Sequence, residues 1–253
     1  MAFKDWGFFP YLGECLASAG FVSIVFNFSH NGVKGDEERI TEFEKFERNT
    51  VSQELDDLEV LLDAVKDGRF DSRGADPSKI ILMGHSRGGG IAIISAASAE
   101  VCNALVTLSS IATFDRWTAH QKEAWRKNGY LPLSKDTAVS PLRLGIGVLN
   151  DLTENHGRLD IRAAASRVKV PWLIVHGKTD VTVPPREAEE LYNAAEKKTT
   201  QFAAVDHAGH LYNAATRSED EYRTLNGILD LIIHWLHKQF SKEHTWNKLT
   251  LQK

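Results

Sequence analysis

The residues that could do chemistry begin with one short motif, Gly84-His85-Ser86-Arg87-Gly88. It fits the pattern G-x-S-x-G, in which a strained turn between a strand and a helix lifts the serine hydroxyl clear of a sheet. Residues 79–83 are an apolar run typical of a buried strand, and residues 88–99 predict the helix. Side chains in place of the flanking glycines are expected to collide with the strand and the helix. We therefore predict Ser86 as a nucleophile, with the Arg87 backbone N–H directed at the carbonyl oxygen under attack.

A serine hydroxyl needs a general base, and the base needs a carboxylate to orient it. Asp180 follows the predicted strand at residues 172–175 and is the predicted acid, with a turn or helix-capping role as the alternative. Asp206 is a rival acid, although it lies close to the predicted base along the chain. His210 is the predicted base because it lies furthest out on the loop after the last strand, and His207 is the second choice. A zinc site at His207-x-x-His210 is disfavoured because no third ligand cluster is evident.

The elements that must position these residues alternate between short β-rich runs and longer helical patterns. Strands are predicted at residues 21–28, 79–83, 103–108, 172–175 and 199–205, and helices at residues 8–19, 50–66, 88–99, 184–195 and 222–240. This alternation predicts an α/β fold with a mostly parallel sheet flanked by helices.

Residues 112–168 interrupt this alternation. They contain no convincing strand and predict a helical, cap-like insertion over one edge of the sheet. Trp117, Trp125 and Tyr130 in this insertion are candidate substrate-binding residues, although aromatic residues at helical spacing are more often part of a core.

Composition sets the broad limits. The chain has 253 residues, of which 42% are hydrophobic, and a formal net charge of −4, so we expect a single domain over residues 1–253 and no binding of nucleic acid. No stretch approaches about 18 uninterrupted apolar residues, so no membrane segment is expected. Two cysteines make no disulfide framework, and no secretory signal is evident, which favours the cytoplasm. No metal or cofactor is indicated, and a homo-oligomer is left open.

The order Ser86, Asp180, His210 is the chain order of the α/β-hydrolase fold. Together with residues 3–33, 84–90 and 170–184, it makes the chain resemble bacterial serine hydrolases of the dienelactone-hydrolase-like and acyl-peptidase-like groups. The resemblance covers nearly the whole chain. It implies an acyl-enzyme mechanism on a small ester, thioester or amide, with His210 as base and then acid, and it favours a carboxylesterase-like hydrolase. Dienelactone hydrolase itself is a cysteine-nucleophile enzyme by this resemblance, whereas this chain has Ser86 at that position. The substrate of dienelactone hydrolase is therefore disfavoured for this chain.

The chain departs from this family pattern at its beginning. Such hydrolases begin with one or more strands and a His-Gly loop whose backbone N–H completes the oxyanion hole, whereas here residues 8–19 already form the first predicted helix. The absent strand would lie between residues 21–28 and 79–83. We expect either a recorded start downstream of the true one or a shortened relative with weakened activity. Two other functions stay open: a non-catalytic binding protein with this fold, and a peptidase acting on short peptides.

Overall fold

A computed structural model describes residues 3–35, 37, 39–70, 73–98, 102–133, 142–214 and 222–240. The helices in these residues are α1 Phe9–Ser18, α2 Phe43–Glu47, α3 Val51–Lys66, α4 Arg87–Ala96, α5 Ala119–Asn128, α6 Ile146–Glu154, α7 Ile161–Ala165, α8 Pro185–Ala194 and α9 Tyr222–Phe240. The strands are β1 Ile81–His85, β2 Ala104–Leu108, β3 Tyr130–Pro132, β4 Arg143–Gly145, β5 Trp172–Gly177 and β6 Thr200–Val205.

Four parallel strands form the main sheet in the order β1-β2-β5-β6, which confirms the predicted α/β fold. β2 and β5 are buried along their whole length because helices cover both faces of the sheet. Leu105, Trp172 and Ile174 pack into the layer that contains α3, α4, α7 and α8. Val106 and Leu173 pack into the opposite layer with α1 and α9. Because all four strands run parallel, their carboxyl ends meet at one edge of the sheet.

The strand predicted at residues 21–28 does not form. These residues have no ladder partner among the described residues, and β1 pairs with β2 alone. Phe21 packs against the α1–α9 layer, and Phe26 and Phe28 pack against the other layer. The prediction of a buried strand was wrong because an apolar run does not show whether a neighbouring strand lies alongside to accept its hydrogen bonds. The segment leaves apolar surface in solvent at Val22, Ile24 and Val25, which are 45%, 40% and 39% exposed.

The insertion at residues 112–168 contains α5, α6 and α7, as predicted, but also a small antiparallel sheet of β3 and β4. The prediction of no strand here was wrong because strands of three residues are too short to show a period of two. The insertion has its own core of Trp125, Val148 and Leu149. Its residues 134–141 lie outside the described part of the chain.

Polar contacts fix the insertion to the main domain. The buried carboxylate of Asp151 on α6 accepts hydrogen bonds from the Ser52 backbone N–H at 2.9 Å and from the Ser52 hydroxyl at the start of α3. Asn155 donates to the same carboxylate at 2.8 Å. Arg143 on β4 adds an ion pair with Glu47 of α2 at 2.7 Å. The insertion is therefore held against α2 and α3 at several points.

We expect Asp151→Asn to lower the free energy of unfolding by about 1–3 kcal/mol, because an amide nitrogen facing the Ser52 donors leaves a buried donor unsatisfied. Asp56→Asn is the matched control, since Asp56 joins α3 to the insertion through an exposed ion pair with Arg158 at 2.7 Å. Its loss should cost less than about 1 kcal/mol. Urea unfolding followed by tryptophan fluorescence measures both changes. Equal decreases in the free energy of unfolding for the two variants would show that the buried contact of Asp151 stabilises the protein no more than the exposed ion pair does.

Candidate active site

The turn between β1 and α4 holds Ser86 in a backbone conformation that residues other than glycine rarely adopt. Its φ is 55° and its ψ is −118°, the values of the first central residue of a type II′ turn, where glycine is usual. Hydrogen bonds fix this conformation: the Ser86 N–H donates to the Leu108 carbonyl at 2.9 Å, and the Ser86 carbonyl accepts from the Gly89 N–H at 3.0 Å. A residue that its surroundings hold in a strained backbone conformation is typical of a functional site.

The two glycines that flank this turn differ in whether a side chain would fit in their place. A Cβ on Gly84 would lie 2.2 Å from the carbonyl oxygen of Gly88, so a side chain there collides with the helix backbone. A Cβ on Gly88 would meet nothing within 4 Å. The expectation that side chains at both positions collide is therefore right for Gly84 and wrong for Gly88.

The loop after β5 places the carboxylate of Asp180 in the interior, where the residue is 3% exposed. Oδ1 accepts hydrogen bonds from the backbone N–H groups of Thr182 at 2.9 Å and Val183 at 2.8 Å. Burial alone would raise the pKa of this carboxyl. The bonds from Val183, His210 and Thr182 together outweigh burial and hold the pKa below its ordinary value. Asp180 is therefore a buried anion near neutral pH.

The loop after β6 brings His210 between this carboxylate and Ser86. His210 Nδ1 lies 2.8 Å from Asp180 Oδ2, and His210 Nε2 lies 3.0 Å from Ser86 Oγ. An ionised carboxylate can only accept, so Nδ1 carries the proton and Nε2 is left to accept from the serine hydroxyl. The rival residues lie apart from this arrangement: Asp206 pairs with Lys178 at 2.7 Å, and His207 is exposed.

Tyr212, which sequence reasoning missed, ties the histidine loop to the sheet. Its buried hydroxyl accepts from Ser109 Oγ and donates to the Val175 carbonyl, both at 3.1 Å. The acid loop and the histidine loop also bond directly, through the Thr179 N–H and the Ala208 carbonyl at 3.1 Å. No local motif marks Tyr212, because its partners lie far away in the sequence, directly after β2 and within β5.

Two further histidines adjoin the line from Asp180 to Ser86. His85 Nε2 lies 3.0 Å from the His210 carbonyl oxygen, and burial lowers the pKa of the His85 ring to about 4. His176 Nε2 lies 2.9 Å from the Val183 carbonyl and 3.5 Å from Asp180 Oδ2, and burial lowers the pKa of His176 as well. The only signal for them in the sequence is their position near the end of a strand: His85 directly precedes Ser86, and His176 precedes the loop that carries Asp180.

The backbone N–H of Arg87 is unpaired among the described residues, whereas its side chain is bound to α3. Among the described residues its N–H has no hydrogen-bond acceptor, and it lies at the N-terminus of α4 next to Ser86. That N–H can receive a negatively charged oxygen, with help from the helix dipole. The guanidinium Nε donates to the buried carboxylate of Glu54 at 2.8 and 3.1 Å, so the side chain is anchored on α3.

The three aromatic residues predicted to bind substrate have different surroundings. Trp125 is 0% exposed and belongs to the core of the insertion, which leaves its ring no face for a substrate. Trp117 packs edge-on against Trp125 with ring centroids 5.0 Å apart. Tyr130 lies under the Arg143 guanidinium, 4.7 Å from the ring centroid. Their placement makes Trp125 a packing residue, while substrate contact by Trp117 and Tyr130 stays a prediction.

The described residues show neither a metal centre nor a membrane segment. In that part of the chain no three histidine, cysteine, aspartate or glutamate side chains are grouped so that they could hold a metal ion. Of the helices described, none combines the length and the apolar character needed to cross a bilayer. Cys15 and Cys102 are free thiols, and Cys102 is buried.

Comparison with known proteins assigns the chain to a family. Residues 6–241 match the prolyl oligopeptidase family, Peptidase_S9. The chain belongs to this family. No curated protein sequence matches the chain at a significant level.

Solved structures share the fold at low sequence identity. The α/β hydrolase GrgF from Penicillium sp. sh18 superimposes with a TM-score of 0.70 at 14% identity, covering 94% of this chain and 86% of that one. A monoacylglycerol lipase from Paleococcus ferrophilus has a TM-score of 0.63 at 19% identity, with 90% and 88% covered. The esterase domain of a Rhodothermus marinus protein has a TM-score of 0.56 at 16% identity, with 90% and 79% covered. This member of the prolyl oligopeptidase family is thus an α/β-hydrolase of the serine-hydrolase type, and its family and fold are compatible with both esterase and peptidase activity.

The two motif glycines give a direct test of the turn. We expect Gly84→Ala to destabilise the protein by about 1–3 kcal/mol or more, because the methyl group overlaps backbone that cannot withdraw without moving α4. Gly88→Ala should leave stability within about 1 kcal/mol, because its methyl group enters open space. Thermal unfolding of both variants measures the difference, and a Gly88 variant as unstable as the Gly84 variant would contradict it.

Burial of His85 predicts a pH dependence of stability. The unfolded chain takes up a proton at the ordinary histidine pKa of 6.5, whereas the folded ring resists it down to about 4. Stability should therefore fall as the pH drops from 6.5 to 4, by at most about 1.4 kcal/mol per pH unit for one proton, and stay level above 6.5. Urea unfolding between pH 7 and 4.5 measures the slope. His85→Gln should reduce the slope but leave the part that is due to His176, whose pKa burial also lowers. An unchanged slope in that variant would show that His85 does not contribute.

Proposed function

We propose that this chain is a serine hydrolase that cleaves an ester, thioester or amide bond of a small substrate through an acyl-enzyme intermediate. The hydrogen-bonded line from Asp180 through His210 to Ser86 supports this proposal most strongly. A hydroxyl becomes an effective nucleophile when a neighbouring base takes its proton, and the base is effective when a third group orients it.

In the proposed reaction, Ser86 Oγ attacks the substrate carbonyl carbon while its proton passes to His210 Nε2. The negative charge on the carbonyl oxygen meets the Arg87 N–H, and the charged imidazole is stabilised by Asp180. His210 then gives its proton to the leaving group, which departs and leaves the acyl group on Ser86. Water repeats the sequence, with His210 as base, and releases the acid and the free serine.

We favour an ester or thioester over an amide as the substrate. The backbone N–H of Arg87 is the oxyanion donor identified among the described residues. Esters and thioesters have better leaving groups than amides, so their cleavage needs less stabilisation of the developing oxyanion. The neighbouring lipase and esterase structures also favour esters, whereas the family match favours cleavage of short peptides as the second candidate.

A fluorophosphonate probe tests the proposal, because it reacts with an activated serine and needs no knowledge of the substrate. Ser86→Ala should abolish labelling. Asp180→Asn should slow it by up to about 10⁴-fold, as found for the equivalent change in a serine protease, because the base loses its tautomer and orientation. Asp206→Asn and His207→Gln are matched controls on the same two loops, and both should stay within about twofold of the unaltered chain.

The outcomes separate the candidate functions. Folded, unaltered chain that fails to react would contradict the hydrolase and leave a binding protein. Equal effects of Asp206→Asn and Asp180→Asn would contradict the assignment of the acid. A series of p-nitrophenyl esters, acyl thioesters and aminoacyl amides then ranks the substrate classes, and faster turnover of the amides would favour the peptidase.

A further inference from the structure

His85 links the nucleophile strand to the loop that carries the base. It is the last residue of β1, directly before Ser86, and its Nε2 lies 3.0 Å from the backbone carbonyl oxygen of His210. The two imidazole rings lie close, with centroids 4.7 Å apart. A carbonyl oxygen can only accept a hydrogen bond, so His85 Nε2 carries a proton and donates it.

The surroundings of His85 hold this ring in place and keep it neutral. Phe8 and Phe9 pack edge-on against it, with centroids 5.5 and 5.8 Å away. Burial lowers the pKa of this ring to about 4, and the nearby His210 and His176 rings lower it further, against the opposing effects of the hydrogen bond to the His210 carbonyl and of the Asp180 carboxylate. A neutral ring donates to the carbonyl without adding a positive charge beside His210 when that base is protonated.

Other hydrogen bonds of the histidine loop are made by the residues on either side of His210. The Thr179 N–H donates to the Ala208 carbonyl at 3.1 Å, and the Asn213 side chain accepts from the Gly209 N–H at 3.3 Å and donates to the His207 carbonyl at 2.9 Å. Tyr212 fixes the loop to β2 and β5, two residues beyond His210, and the residue before His210 is Gly209, which adds backbone freedom. The bond from His85 acts on His210 itself and ties it to β1, the strand that ends at the serine. The distance from His210 Nε2 to Ser86 Oγ therefore depends on a contact made by the residue beside the serine.

We propose that His85 is a positioning residue, whose Nε2–H bond to the His210 carbonyl holds the base in line with Ser86. This inference rests on the proposed function, because it assigns His85 a task in that reaction. It predicts that the donor, rather than the bulk or the charge of the ring, is what matters. A misplacement of about 1 Å can cost about 10²-fold in rate.

The test compares His85→Gln, whose amide nitrogen can replace Nε2 as a donor, with His85→Leu, which fills similar space without one. His156→Leu is the matched control, since His156 also bonds a backbone carbonyl, that of Thr153 at 3.1 Å, but on the exposed surface of the insertion. Labelling rates with the fluorophosphonate probe, melting temperatures and the low-field NMR signal of the proton between His210 and Asp180 are measured on each purified chain.

We expect His85→Leu to slow labelling by about 10²-fold and to lose or shift the low-field signal while the protein stays folded. His85→Gln and His156→Leu should remain within a few-fold of the unaltered chain and keep the signal. Unchanged labelling in His85→Leu, or equal losses in the Gln and Leu variants, would overturn the inference. If the unaltered chain does not label, the proposed function fails, and the NMR signal alone decides whether His85 positions His210. Loss of the signal in His85→Leu, but not in the other variants, would support the positioning role. Persistence of the signal in all variants would overturn it.

Discussion

The buried charge of Asp180 is the constraint on which the arrangement of the site depends. Its side chain is fully enclosed, and an ion removed from water costs several kcal/mol unless partners replace the water. The partners here are two backbone N–H groups of its own loop, from Thr182 and Val183, and the Nδ1–H of His210. The loop after β5 must therefore curl back on itself, and the loop after β6 must approach it. The contact that makes burial tolerable is also the one that orients the histidine toward Ser86.

Much of this site could be predicted from the sequence because Ser86, Asp180 and His210 each follow a strand that is visible as a short β-rich run. Parallel strands bring such residues to one edge whatever their separation along the chain. The contacts of His85 and Tyr212 could not be predicted, because they join residues 125 and 103 positions apart. Nothing local in the sequence indicates which distant carbonyl or hydroxyl a buried polar side chain will meet.

The errors in the predicted fold have similar physical causes. A hydrophobic pattern shows that a segment has apolar side chains to pack, and Phe21, Phe26 and Phe28 do pack against the core layers. The pattern carries no information about whether another strand lies alongside. The long amphipathic helices were easier, since α3 and α9 repeat their apolar positions over several turns and need no distant partner to form.

The open space beside Gly88 has a consequence for how relatives of this chain are recognised. The steric need for a small residue lies before the serine, at Gly84, where the backbone of Gly88 and Gly89 approaches closely. A search pattern that demands glycine on both sides would discard chains with alanine at the second position, although this turn has room for the methyl group. In this turn the glycine before the serine is therefore the more informative marker, because the position after it has space for an alanine.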